Sequence, residues 1–207
     1  MRHILISAFL LAASGCGNDD QTPAANPTPA PAPAPEPTPA FDVFPTTINT
    51  GVDDKGKMFS APILITGGQN VTFASAAKNI ATVSGNDMSA TVTGLRPGTT
   101  QLTLTSGSST ATVAVTVTRY LAANVAKGQQ SFMQFQCSGC HPRDSDTSPS
   151  GIADHTDDEV FLAVTQGVNP EGGDIMIGNT KHAFAADRGI VGFLRSRPAV
   201  GVPKKDD

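Results

Sequence analysis

The sequence predicts two unlike folded regions behind an export leader: an all-β sandwich over residues 41–118, then a small all-α domain over 119–200. Three observations predict this. Val, Thr, Ile and Ser alternate in short runs across 41–118, the period-2 pattern of half-buried strands. From residue 119 apolar residues recur at intervals of three and four, the period of a helix face. Proline falls at nearly every second position between Pro27 and Pro39, which keeps that stretch out of either core. A chain of 207 residues accommodates two domains. The net charge of −4 comes from mixed charges in both regions, and neither is basic enough to bind nucleic acid.

Residues 1–15 have the form of a leader. Arg2 and His3 precede an apolar run over 4–13, too short to span a bilayer and of signal-peptide proportions. The run ends Leu11-Ala12-Ala13-Ser14-Gly15-Cys16, and small residues leading into a cysteine resemble the lipobox of bacterial lipoproteins. That resemblance implies cleavage before Cys16, a lipid on Cys16, and a membrane anchor facing the periplasm or cell surface. Gly17 after the cysteine, by resemblance to enterobacterial sorting rules, implies the outer membrane. Residues 16–40 then form a lipidated N-terminus and tether. Extended polyproline II at ~3.1 Å per residue places the next domain roughly 60 Å or less from the anchor.

Residues 41–118 read as about seven short strands. In Thr110-Ala111-Thr112-Val113-Ala114-Val115-Thr116-Val117-Thr118 the residues Ala111, Val113, Val115 and Val117 share one face. Leu102 with Leu104, Val71 with Phe73, and Ala90 with Val92 repeat the pattern, and Ser84-Gly85-Asn86-Asp87 and Arg96-Pro97-Gly98 supply turns. Many short strands in so few residues argue for a sandwich. The stretches Ile80-Ala81-Thr82-Val83-Ser84 and Ala90-Thr91-Val92-Thr93-Gly94-Leu95-Arg96-Pro97-Gly98-Thr99-Thr100, with the strand that closes at Val117, resemble the bacterial Ig-like group 2 family. The family implies a spacer or adhesion module on an exported protein. No His or Cys lies in the region, so no catalytic constellation is expected there.

The helical region carries the chemistry. Leu121, Val125, Gly128, Phe132 and Phe135 form one helix face, and Gly128 within it predicts a close approach by a second helix. The helix delivers the chain to Cys137-Ser138-Gly139-Cys140-His141, a C-x-x-C-H sequence. Two thiols at this spacing can each add to one vinyl group of a single porphyrin, and the adjacent histidine then offers a nitrogen to the iron. The expected cofactor is one haem c, attached through Cys137 and Cys140 with His141 as axial ligand. With Cys16 assigned to lipid, no cysteine remains for a disulfide. Further on, Thr156-Asp157-Asp158-Glu159 is a capping box, opening a helix that carries Val160, Phe161 and Val164 and ends near Gly167. A Gly- and Asn-rich loop follows, then a last helix over about 184–195 with Ala186, Ile190, Phe193 and Leu194 on one face, and a polar tail over 201–207.

This order of helix, haem motif, helix, loop and helix resembles a small class I cytochrome c over most of 121–197. The family implies that first and last helices cross closely, here Gly128 and Phe132 against Phe193 and Leu194. It also places its sixth ligand in the loop before the last helix, where Met176 stands; His182, six residues on, is the rival. A haem with both axial positions filled carries electrons and leaves no room for substrate. The expected function is therefore single-electron transfer to or from redox protein partners outside the cytoplasmic membrane, with no enzyme activity. The alternatives are a haem sensor or haem enzyme with an open distal site, or an Ig-like module that binds a surface partner and carries an accessory haem domain.

Overall fold

The computed structural model describes residues 41–141 and 147–203. The leader, the lipidation position Cys16 and the proline-rich tether lie outside the described residues, as does the tail from 204.

Eight strands build the first region: β1 (Asp42–Phe44), β2 (Thr47–Asp53), β3 (Ser60–Thr66), β4 (Thr72–Ser75), β5 (Ala81–Gly85), β6 (Ser89–Gly94), β7 (Gly98–Ser106) and β8 (Ser109–Tyr120). They form two four-stranded sheets, β1-β3-β6-β5 and β2-β8-β7-β4. All pairings are antiparallel except β2 with β8, which run parallel with Thr47 opposite Ala114 and Asp53 opposite Tyr120. The alternation read from the sequence sets the inside. Val113, Val115 and Val117 of β8 join Ile48, Leu102 and Leu104 of the same sheet and Ile63 and Val92 of the other in one buried cluster. Burying side chains of this size stabilises by about 1.5–3 kcal/mol each. The predicted seven strands become eight because 41–69, whose alternation is less regular, contributes three.

Among the described residues five helices follow: α1 (Ala122–Gln134), α2 (Cys137–Cys140), α3 (Pro149–Ile152), α4 (Asp157–Gln166) and α5 (Gly189–Ser196), with a small hairpin, β9 (Met176–Ile177) and β10 (Thr180–Lys181), between the last two. A second core joins Phe132, Ile152, Val160, Ile190, Val191 and Leu194. Gly128 has the predicted role. A Cβ there would lie 2.1 Å from the Gly189 carbonyl oxygen, and a Cβ on Gly189 would lie 1.9 Å from the Asn124 oxygen. Two glycines therefore let α1 and α5 cross at backbone contact, while the Phe132 and Phe193 rings pack tilted at 56° with centroids 5.3 Å apart. Leu121, predicted on the buried face, is exposed at the N-cap of α1. The last helix starts five residues later than expected. Phe184 gives its N–H to Val164 O, and Asp187 Oδ1 accepts from Gly189 N, so residues 184–188 bind elsewhere before the helix begins.

The two regions share a polar junction that includes a buried arginine. Arg195, on α5, is 2% exposed. Its Nε donates to Asp157 Oδ1 at 2.8 Å, Nη1 to the carbonyls of Asn49 (2.7 Å) and Ile152 (3.1 Å), and Nη2 to the carbonyl of His155 (2.7 Å). Tyr120, the last residue of β8, donates its hydroxyl to the same Asp157 carboxylate. Burial, and after it the Asp157 charge set against the opposing Arg195, holds the Tyr120 hydroxyl well above the ordinary phenol range, so it stays a donor. The backbone N–H of Asn49 on β2 donates to Ala153 O, which covers the outer edge of that sheet. Ala153 itself packs in the sandwich core. Among the described residues no helix is long and apolar enough to cross a membrane.

Candidate cofactor site

The site begins at the end of α1. Gln136 adopts a left-handed conformation (φ 52°), which turns the chain out of α1 and into the single turn of α2. Residues three apart on a helical turn lie on one face, so the turn brings Cys137 and Cys140 to the same side. His141 N donates to Cys137 O at 2.7 Å, which closes the turn and fixes the start of the histidine. Both thiols are free of disulfides. Cys137 packs against the helical core, and burial pushes its thiol up from the ordinary value.

Cys140 and His141 open onto a cavity of about 670 Å³. Its walls are Ile152, Val160, Ala163, Val164, Ile175 and Leu194. Small-molecule and cofactor sites have this size and this apolar lining with a few polar groups. The capping box predicted at Thr156 positions one wall. Thr156 Oγ1 accepts from Glu159 N, the Glu159 carboxylate accepts from Thr156 N at 2.7 Å, and the helix they open carries Val160, Ala163 and Val164 inward.

The β9–β10 hairpin contributes to the same lining through Met176 and Ile177. Gly178, at φ 59°, leads its two-residue loop, as a type II′ turn requires. Met176 pairs with Lys181 and Ile177 with Thr180. Met176 and His182 both line the cavity, as does His155. Met176 is half exposed, beside Lys181, which is itself tied to Asp174. His182 is held more closely. Its N–H donates to Ile175 O at 2.8 Å, and its ring meets Phe184 edge-on with centroids 4.7 Å apart. Its carbonyl lies where a Cβ on Gly167 would be, 2.1 Å away, and Gly167 is the left-handed residue that ends α4. The His182 ring stands 6.3 Å from that of His141, with the planes at 85°. The Nδ1 atom of His182 is buried without a hydrogen-bond partner.

These residues fit a haem. Among the described residues no three His, Cys, Asp or Glu side chains cluster to hold a bare metal ion. A porphyrin brings its own four nitrogens and asks the protein only for axial ligands and an apolar slot. An orphaned imidazole nitrogen beside a second imidazole, at the mouth of an apolar cavity that also presents a thiol, matches that demand. Of the residues singled out in the sequence, Cys140, His141, Met176 and His182 line the cavity and Cys137 packs beside it against the helical core, while His155, Ile152, Ala163 and Ile175 join the lining without having been sequence candidates. Nothing in the sequence signals the cavity-forming contact between Gly167 and His182, or the Arg195 junction behind α4. Arg195 announces itself only as a charge next to the apolar face of the last helix.

Comparison with known proteins bears on the β region. Residues 40–117 match the family described as bacterial Ig-like domain (group 2), and this part of the chain is such a domain. The match includes the early strands that the sequence motifs left out. Solved structures similar to part of the chain include domains 4 and 5 of the S-layer protein SbsC (26% identity, 38% of this chain and 51% of that chain, TM-score 0.30). The M1 domain from titin (9% identity, 39% and 95%, TM-score 0.32) is another, as is a Bacteroides ovatus GH5 xyloglucanase in complex with a heptasaccharide (15% identity, 39% and 19%, TM-score 0.32). The chain thus spans about half the length of the SbsC fragment it resembles. No curated protein matches it.

Proposed function

We propose that this protein is an exported monohaem c-type cytochrome that carries single electrons, with its helical region as a class I-like cytochrome domain. The observation that carries this reading is one cavity lined by Cys140 and His141 of the C-x-x-C-H motif together with two potential sixth ligands, Met176 and His182. When bound, the haem supplies a reversible one-electron couple. Cys137 and Cys140 would hold it by thioether bonds, and His141 would offer a nitrogen to the iron. Ile152, Val160, Val164 and Leu194, which line the cavity, would keep water away from it. A second ligand from Met176 or His182 would leave no position open for substrate.

Export and a lipid on Cys16 belong to the same reading, supported by the lipobox-like sequence and by the Ig-like domain. The lipid holds the protein at a membrane, in the outer membrane by the Gly17 argument, and the proline-rich tether and Ig-like domain set the haem at a distance from it. Redox proteins on the same side of the membrane are its partners, and the Ig-like domain serves as a spacer. The test is a redox titration of the purified haem-loaded protein with CO added to the reduced form. One reversible one-electron wave and no rapid CO binding are expected. Rapid CO binding would instead assign the open-site sensor or enzyme reading.

A further inference from the structure

We infer that His182, rather than Met176, is the sixth ligand, so that the iron sits between two imidazoles whose planes are nearly perpendicular. This rests on the reading that a haem is attached at Cys137 and Cys140. Four independent features of the chain lead to it. An imidazole nitrogen lies roughly 2 Å from a metal it ligates, so two imidazoles on opposite sides of one iron hold their centroids roughly 6 Å apart. His141 and His182 are 6.3 Å apart. His182 Nδ1 is buried with no partner, a costly state that an iron bound at this nitrogen would relieve.

The backbone supports the same choice. Side chains alternate across a hairpin, so Met176 shares a face with Lys181, and His182 shares the opposite face with Ile175, to which it is hydrogen-bonded. Met176 also lines the cavity, but it is half exposed beside an ion-paired lysine, whereas His182 is held by a backbone bond and a ring contact. Gly167 completes the placement. Its left-handed conformation ends α4, and its missing side chain lets the His182 carbonyl seat against it, while Phe184 N–H bonds back to Val164 on the same helix. Gly167 is therefore a positioning residue for the ligand. A second imidazole in place of a thioether also lowers the potential, because the thioether sulfur is the ligand that raises it. The carrier would work at the more reducing end of the range open to such proteins.

The experiment uses the exported full chain, matured with haem, and begins with its haem content by alkaline-pyridine spectrum. Ferric wild type is then examined by low-temperature electron paramagnetic resonance and by far-red absorption. Perpendicular imidazole planes leave two iron d orbitals nearly degenerate, so a highly anisotropic low-spin signal is expected, without a thioether-to-iron charge-transfer band. Met176→Ala should leave both spectra unchanged. His182→Ala should become high-spin with its haem still covalently bound, and added imidazole should restore the low-spin state. Gly167→Ala should give a mixture of spin states at unchanged haem content. The wild-type spectrum decides the ligand even if a variant fails to fold. A charge-transfer band that Met176→Ala abolishes would overturn this inference and leave the haem reading standing. Protein matured under the same conditions without covalent haem would overturn both.

Discussion

The Arg195 guanidinium and the Asp157 carboxylate meet at 2.8 Å across the foot of two helices, with Arg195 2% exposed and its remaining donors on three backbone carbonyls. One of those carbonyls, that of Asn49, belongs to strand β2 of the Ig-like domain, and Asp157 also receives the Tyr120 hydroxyl from strand β8. A buried charge placed in this way is not a surface ornament. It joins one wall of the cavity, through α4, to the sandwich.

Replacing Arg195 with Met keeps the volume and removes the charge. It takes one donor from Asp157, which keeps the Tyr120 hydroxyl, and one from each of three carbonyls. Breaking a buried pair by removing one partner costs about 3–5 kcal/mol, and the Arg195→Met variant should lose that much in a urea unfolding series. The loss should be seen by probes of the sheet and of the helices together, since both regions hang on the same guanidinium.

Gly128→Ala tests the helix crossing. The added methyl would lie 2.1 Å from a carbonyl oxygen of Gly189, which is backbone and cannot swing aside. Overpacking of this kind costs about 1–3 kcal/mol. Thermal unfolding should show the loss, although alanine is the better helix former.

The capping box gives a pH dependence. The N–H of Thr156, and then its hydroxyl, hold the Glu159 carboxyl below its ordinary range. A group whose folded value is depressed stabilises fully above its unfolded value, and that contribution is lost as pH falls through the folded value. The stability difference between wild type and Glu159→Gln should therefore be constant near neutrality. It should shrink as the pH drops below the ordinary carboxylate range. Thr156→Ala should cost about 1 kcal/mol at neutral pH, the usual value of an N-cap, measured by the same unfolding series.

Much of this was legible in the sequence because it is local. The C-x-x-C-H spacing, the capping box at Thr156 and Glu159, the turn at Gly167 and the alternation of Val113, Val115 and Val117 each need only neighbours in the chain to be recognised. Gly128 was legible for a related reason: a glycine inside a helical pattern is costly unless something lies against it. Its partner, Gly189, was not, since the sequence does not say which backbone comes close. The same holds for Arg195, whose acceptors lie up to 146 residues away. The β9–β10 hairpin escaped because two-residue strands carry no period. The late start of α5 escaped because Phe184 and Asp187 spend their backbone and side-chain bonds outside the helical pattern.

Covalent attachment of one haem at Cys137 and Cys140 can be read from the intact mass of the mature protein. The expected mass is that of a chain cleaved before Cys16, carrying lipid and one haem, with a Cys137→Ser, Cys140→Ser double variant carrying the lipid alone. A wild-type protein whose mass is accounted for without haem, after expression alongside a working haem-attachment apparatus, would contradict it.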